Sequence, residues 1–162
     1  MNVLLPQLIQ TLREELQQYG EMLARLEQQQ DAILHHGPGA VFQSIASIQT
    51  QGEILRQARN ARELAQRQAA GLLGESLDST FTQLIPLLPA SHQPLVDALV
   101  QENNELVQRV RGKAELNQLL LRQSLHLMQH FVDTMQAHSP SAPPPSNPEA
   151  STERELQDAA QS

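Results

Sequence analysis

The chain has 162 residues, a formal net charge of −7, 40% hydrophobic residues, only 2% aromatics and no cysteine. The acidity argues against nucleic acid and anionic membranes as partners, because both need clustered Lys and Arg. The missing cysteine removes disulfides, thiolate zinc sites and thiol chemistry. The core of such a chain must come from Leu, Ile, Val and Ala, the palette of helix-on-helix packing. No stretch alternates apolar and polar residues with period two, so the fold class expected is all-α. Met1-Asn2-Val3-Leu4-Leu5 lacks the basic start and long apolar block of a signal peptide. No window approaches the roughly 18 apolar residues of a membrane span, so no membrane insertion is expected.

The first helix is predicted from Val3 to His35. Leu5, Ile9, Leu12, Leu16, Tyr19, Leu23, Leu26 and Ile33 recur at alternating steps of three and four, skipping only Gln30. That is a heptad seam, and a one-seam helix must lie against partner helices. His35-His36-Gly37-Pro38-Gly39 should cap it and reverse the chain. A second helix, antiparallel to the first, is predicted from Ala40 to Leu72. Val41, Phe42, Ile45, Ile48, Ile54 and Leu55 form its early apolar face, and Ala58, Ala61, Leu64, Ala65 and Ala69 its later one. The alanines should let another backbone approach closely. Arg56, Arg59, Arg62 and Arg67, interleaved with Glu53 and Glu63, read as a solvated charged face with local ion pairs.

After Gly71-Leu72-Leu73-Gly74, Asp78 or Ser79 should cap a short helix broken by Pro86 and Pro89. It should plug the bundle end with Phe81, Leu84, Ile85 and Leu88. Ser91 is the expected cap of a long helix from Leu95 to Met135. Its seam reads Val96, Leu99, Asn103, Leu106, Val110, Lys113, Asn117, Leu120, with polar residues about every other turn. An Asn in a seam costs stability and sets register, a role assigned to Asn103. Gly112 marks a joint. From Leu116 onward, Leu119, Leu120, Leu121, Leu125, Leu127, Met128, Phe131, Val132 and Met135 make more apolar surface than one seam requires. Residues 139–162, Pro-rich and then acidic, should form no stable structure. The organisation expected is therefore a helical domain over 1–138 and a disordered tail over 139–162.

No catalytic constellation stands out, and no cofactor or metal is expected. His35 and His36 at a helix end should interact with the last carbonyls. His126 and His130 share a helix face but lack the Glu of a metalloprotease helix and a third ligand. Glu14, Glu15, Glu102 and Glu105 read as surface acids. A histidine phosphotransfer domain is also a helical bundle, but it usually shows a His followed closely by Lys and Gly, and none of the six histidines has that neighbourhood.

Asn117-Gln118-Leu119-Leu120-Leu121-Arg122-Gln123-Ser124-Leu125-His126-Leu127-Met128 resembles the C-terminal signature of FlgN-type flagellar export chaperones: an Asn, paired aliphatics three and four residues on, then Gln-Ser-Leu. The order of elements over roughly residues 1 to 138 is also similar. Gly112 and Lys113 depart from the pattern, and the tail has no counterpart in it. The resemblance implies an elongated antiparallel bundle of three long helices and a short one, acting as a cytoplasmic chaperone and not an enzyme. It implies as partners the hook–filament junction (hook-associated) proteins, whose C-terminal amphipathic helices it would hold unpolymerised, and the type III export apparatus. The chaperone would be a monomer or weak homodimer. The expected cargo-binding residues are Asn117, Leu120, Leu121, Ser124, Leu125, Met128, Val132 and Met135; the other role open to them is packing on the first helix. The competing class is a structural coiled-coil scaffold or tether that homo-oligomerises without a client.

Overall fold

The computed structural model describes residues 1–138; the expectation of a disordered tail over 139–162 lies outside the described residues. Its elements are α1 (Leu4–His35), α2 (Pro38–Leu72), a short α3 (Phe81–Leu84) that runs into a 3₁₀ turn (Ile85–Leu87), and α4 (Gln93–His138). There is no strand among the described residues. Backbone contacts divide the chain into two units, Met1–Leu125 and one that begins at His126.

Within Met1–Leu125, α1 is the shared element. Its apolar seam is buried or half-buried throughout, from Leu5 to Ile33. A second seam with the same spacing runs beside it: Leu8, Thr11, Glu15, Gln18, Met22, Arg25, Gln29 and Ala32 are also buried or half-buried. This seam is mostly polar, so hydropathy does not reveal it. It engages α2, which runs antiparallel. Arg62 donates to Glu15 at 2.7 Å, the Gln51 amide to the Gln18 carbonyl at 3.1 Å, and Arg25 to the Ser47 hydroxyl at 2.6 Å.

The inward face of α2 keeps part of the expected apolar one, with Val41, Ile45, Ile48, Leu55 and Ala58 half-buried. Its buried residues are Gln51, Ala65, Ala69 and Ala70, whereas Phe42, Ile54 and Leu64 are exposed. Ala65 and Ala69 do make the close approach, packing with Leu5, Leu8, Ile9 and Leu12. Two expected surface charges also move inward. Glu15 is 3% exposed, and Arg62 holds it while stacking 5.9 Å above the Phe81 ring. Arg62 and Gln66 continue the chain of bonds to the Ser79 carbonyl, tying α2 to the start of α3. Arg59–Glu63 and Arg56–Glu53 remain surface pairs.

The helix ends follow local chemistry. Pro38 takes the first turn of α2, where its missing N–H costs nothing, so the helix starts before Ala40. Gly74, at φ +75°, takes the left-handed position after α2, and the Glu75 N–H closes back on the Ala70 carbonyl. Thr80, rather than Asp78 or Ser79, opens α3; its N–H donates to Gln83 in a capping box. Ser91 bonds to His92 and does not cap α4. The plug is as expected, with Leu84 and Leu88 buried and Phe81 and Ile85 half-buried against the core.

The α4 seam follows the predicted register: Val96, Leu99, Asn103 and Asn117 are buried, and Leu106, Val110, Lys113 and Leu120 half-buried. α4 runs parallel to α1, and helix continues unbroken through Gly112. Leu84→Ala is expected to lower the unfolding free energy by about 3 kcal/mol through cavity formation. Glu15→Ala should cost a comparable amount, about 3 kcal/mol, because it strands a buried guanidinium. Arg56→Ala, at an exposed pair, should leave stability nearly unchanged. Urea unfolding of the three variants measures this; equal costs for Glu15→Ala and Arg56→Ala would refute the buried-pair assignment.

Candidate functional site

Asn117 opens the candidate stretch, but the fold withdraws it from solvent. It is 1% exposed, and its amide donates to the Leu26 carbonyl at 2.8 Å and to Gln29 Oε1 at 3.0 Å. It is therefore a register-setting residue between α1 and α4 and offers nothing to an external partner. Asn103 does the same at the Leu12 carbonyl, at 3.2 Å. Lys113, the third polar residue of this seam, donates to Gln30 Oε1 at 2.8 Å. That bond also accounts for Gln30 as the one break in the apolar seam of α1: the two polar exceptions meet each other.

The remaining candidates of Met1–Leu125 grade outward along α4. Leu120 and Leu121 are half-buried, Ser124 is exposed, and Leu125 is 61% exposed. Leu116 and Leu119 are also largely exposed.

In the second unit, the helical residues His126–His138 are all exposed. Leu127, Met128, Phe131, Val132 and Met135 follow one another at i, i+1, i+4, i+5 and i+8. At 100° per residue these positions fill one arc of about 140°, with Gln129, His130, Asp133 and Gln136 opposite. Each of the five is 50–68% exposed. Leu127 and Phe131, the two most exposed, belong to this arc although the family signature stops short of Phe131. Periodicity alone identifies them.

The histidines carry no comparable construction. His126 and His130 are exposed, and no group of three potential metal ligands comes together among the described residues. His35 Nδ1 and His36 Nε2 both bond to Asp31, at 2.9 and 3.0 Å, rather than to the last carbonyls of α1 by their side chains. The His35 hydrogen bond, then that of His36, holds the Asp31 carboxyl below the usual carboxylate range.

A family model described as FlgN protein matches residues 1–142. No curated protein and no solved structure matches.

A depressed carboxyl pKa stabilises the fold above its ordinary value, and the contribution is lost as pH falls through the lowered one. Asp31 should thus titrate below the ordinary aspartate value in a carbon-detected NMR titration. The His35→Gln, His36→Gln double variant should return it toward the ordinary value. An unmoved midpoint in that variant would refute the cause given.

Proposed function

The chain belongs to the FlgN family, and from that premise we propose that it is a cytoplasmic export chaperone for hook–filament junction proteins. It binds their C-terminal amphipathic helices, keeps them from assembling early, and presents them to the flagellar type III export apparatus. The observation that carries this reading is the apolar arc of Leu127, Met128, Phe131, Val132 and Met135, each at least half exposed on a helix whose other side is polar. An arc of that kind takes a second amphipathic helix face to face, reading anchors at i, i+3, i+4 and i+7. Methionines at two of the five positions suit an adaptable contact that tolerates more than one client.

Met128, Val132 and Met135 are the proposed cargo contacts of this unit, joined by Leu127 and Phe131. In Met1–Leu125, Leu120, Leu121, Ser124 and Leu125 remain proposed contacts, with Leu125 the most accessible. Asn117 is left out, because it is buried.

The energetics suit a cargo that must be released. Covering four such side chains yields roughly 6–12 kcal/mol gross. Association and side-chain ordering remove much of that. What remains supports a micromolar complex or a somewhat tighter one, at about −8 kcal/mol or below. The protein acts as a binding partner, not as an enzyme, and is a monomer or weak homodimer when free.

The test is calorimetry of the full chain with a purified hook–filament junction protein. A Met128→Ala, Phe131→Ala variant should bind at least about tenfold more weakly, with its thermal midpoint unchanged because both side chains are exposed. Leu125→Ala should weaken binding by a smaller factor. Unchanged affinity in the folded double variant would remove the arc from the function. A stable homo-oligomer that ignores the client would instead establish the scaffold reading.

A further inference from the structure

A cleft of about 610 Å³ lies within Met1–Leu125, between α2 and α4 and floored by α1. α2 and α4 flank α1 and make few backbone contacts with each other. Most of the side chains that line the cleft are polar. Three of them, one from each long helix, come together at one level. Tyr19 belongs to α1. Arg111 of α4 arrives beside it, because Asn103 fixes α4 to the Leu12 carbonyl and both helices rise together from there. Arg59 of α2 stands nearly one turn closer to Tyr19 than Arg62, which reaches Glu15.

These groups have little else to bond. Tyr19 is 7% exposed, and its hydroxyl has no hydrogen-bond partner among the described residues. A buried hydroxyl without a partner has a desolvation cost that a ligand would remove. Arg111 has no ion-pair partner among the described residues, and Arg59 has only Glu63, at 3.4 Å. The acids nearby do not fill the place. Glu15 is taken by Arg62, and Glu105 lies nearly two turns from Arg111. Burial and then Glu15 raise the Tyr19 pKa, while Arg59, Arg62 and Arg111 act in the opposite direction, so all three guanidinium groups lie within electrostatic reach of the phenol. In a chain of net charge −7 this is a local concentration of positive charge around an unpartnered donor.

We propose that this part of the cleft is a binding site for a phosphate group, free or as a small phosphate monoester, held by Arg59 and Arg111 from the two walls and by the Tyr19 hydroxyl from the floor. Three donors on three helices approach from three directions. A carboxylate offers its lone pairs in one plane, whereas a tetrahedral oxyanion presents an oxygen to each donor. The guanidinium fork is suited to phosphate oxygens, and charge-assisted bonds of this kind are the strong ones. The cleft is far larger than one phosphate group, which leaves room for the remainder of a monoester beside Asn104 and Gln108. A bound phosphate braces α2 against α4, which otherwise barely touch. The assignment stands on Met1–Leu125 alone and does not depend on how the apolar arc of His126–His138 is used.

The chain has one tyrosine and no tryptophan, so tyrosine emission reports on this site alone. The experiment titrates the full chain with inorganic phosphate, with glycerol phosphate and with acetate, at an ionic strength held constant with chloride. Phosphate should change Tyr19 emission saturably and raise the thermal midpoint. Acetate should bind at least about tenfold more weakly. Glycerol phosphate binding more tightly than phosphate identifies the monoester as the occupant; equal or weaker binding identifies the free anion. Arg59→Gln, Arg111→Gln, at two exposed positions, should weaken phosphate binding at least about tenfold while the circular dichroism stays unchanged. Arg56→Gln, Arg67→Gln, at two exposed arginines of α2 outside the cleft, should leave it unchanged, as should Met128→Ala, Phe131→Ala. No saturable change, acetate binding as tightly as phosphate, or affinity that survives Arg59→Gln, Arg111→Gln would overturn the proposal. So would an equal loss in Arg56→Gln, Arg67→Gln, which would make the effect one of overall charge.

Discussion

Two asparagine amides reaching across to main-chain carbonyls set the geometry of this fold. Asn103 to Leu12 and Asn117 to Leu26 span the same 91 residues. α4 thus advances in step with α1 over two heptads, with no slip between them. A leucine seam alone would tolerate a shift of one heptad, because leucine meets leucine again. The polar seam does not, because a shift would bury Asn117 and Lys113 away from their partners Gln29 and Gln30. The other features of Met1–Leu125 inherit this register: Lys113 meets Gln30, and Arg111 arrives level with Tyr19.

The same seam is specific more than strong. The Oδ1 atoms of Asn103 and Asn117 are buried without partners, and such atoms cost about 1–3 kcal/mol each. The firmer attachment lies along α1 from Leu5 to Glu15. There Ala65 and Ala69 bring α2 close to α1, the α3 plug seats Leu84 and Leu88, and the Glu15–Arg62 pair is held by Gln66 and Phe81. A buried pair of this kind contributes little over an apolar replacement, but losing one partner is costly, so it selects one arrangement of α1, α2 and α3. Stability and orientation are thus supplied by different residues.

The apolar residues of His126–His138 serve neither purpose. Five large side chains exposed on one arc are a liability in a free protein, since such patches invite association. Under the proposed function, a client with a complementary amphipathic helix turns that liability into a binding surface.

Much of this was legible in the chain alone. Heptad spacing located α1 and the inward register of α4, because an apolar side chain left in water has a cost that leaves a period in the sequence; glycine and proline signals bounded α2 and the plug. Composition ruled out disulfides and thiolate chemistry, and the Asn117–Met128 signature pointed to the family. The second seam of α1 was not legible. Thr11, Glu15, Gln18, Arg25 and Gln29 look like surface residues, and only the approach of α2, with Arg62, Gln51 and Ser47 in matching places, and of Asn117 on α4 against Gln29 makes them interior. Nor could sequence separate Asn117 from Leu125 within one motif, the first locked at 1% exposure and the second open at 61%. Periodicity records which face of a helix avoids water. Polar residues that satisfy one another leave no such record, and only the tertiary structure decides where they meet.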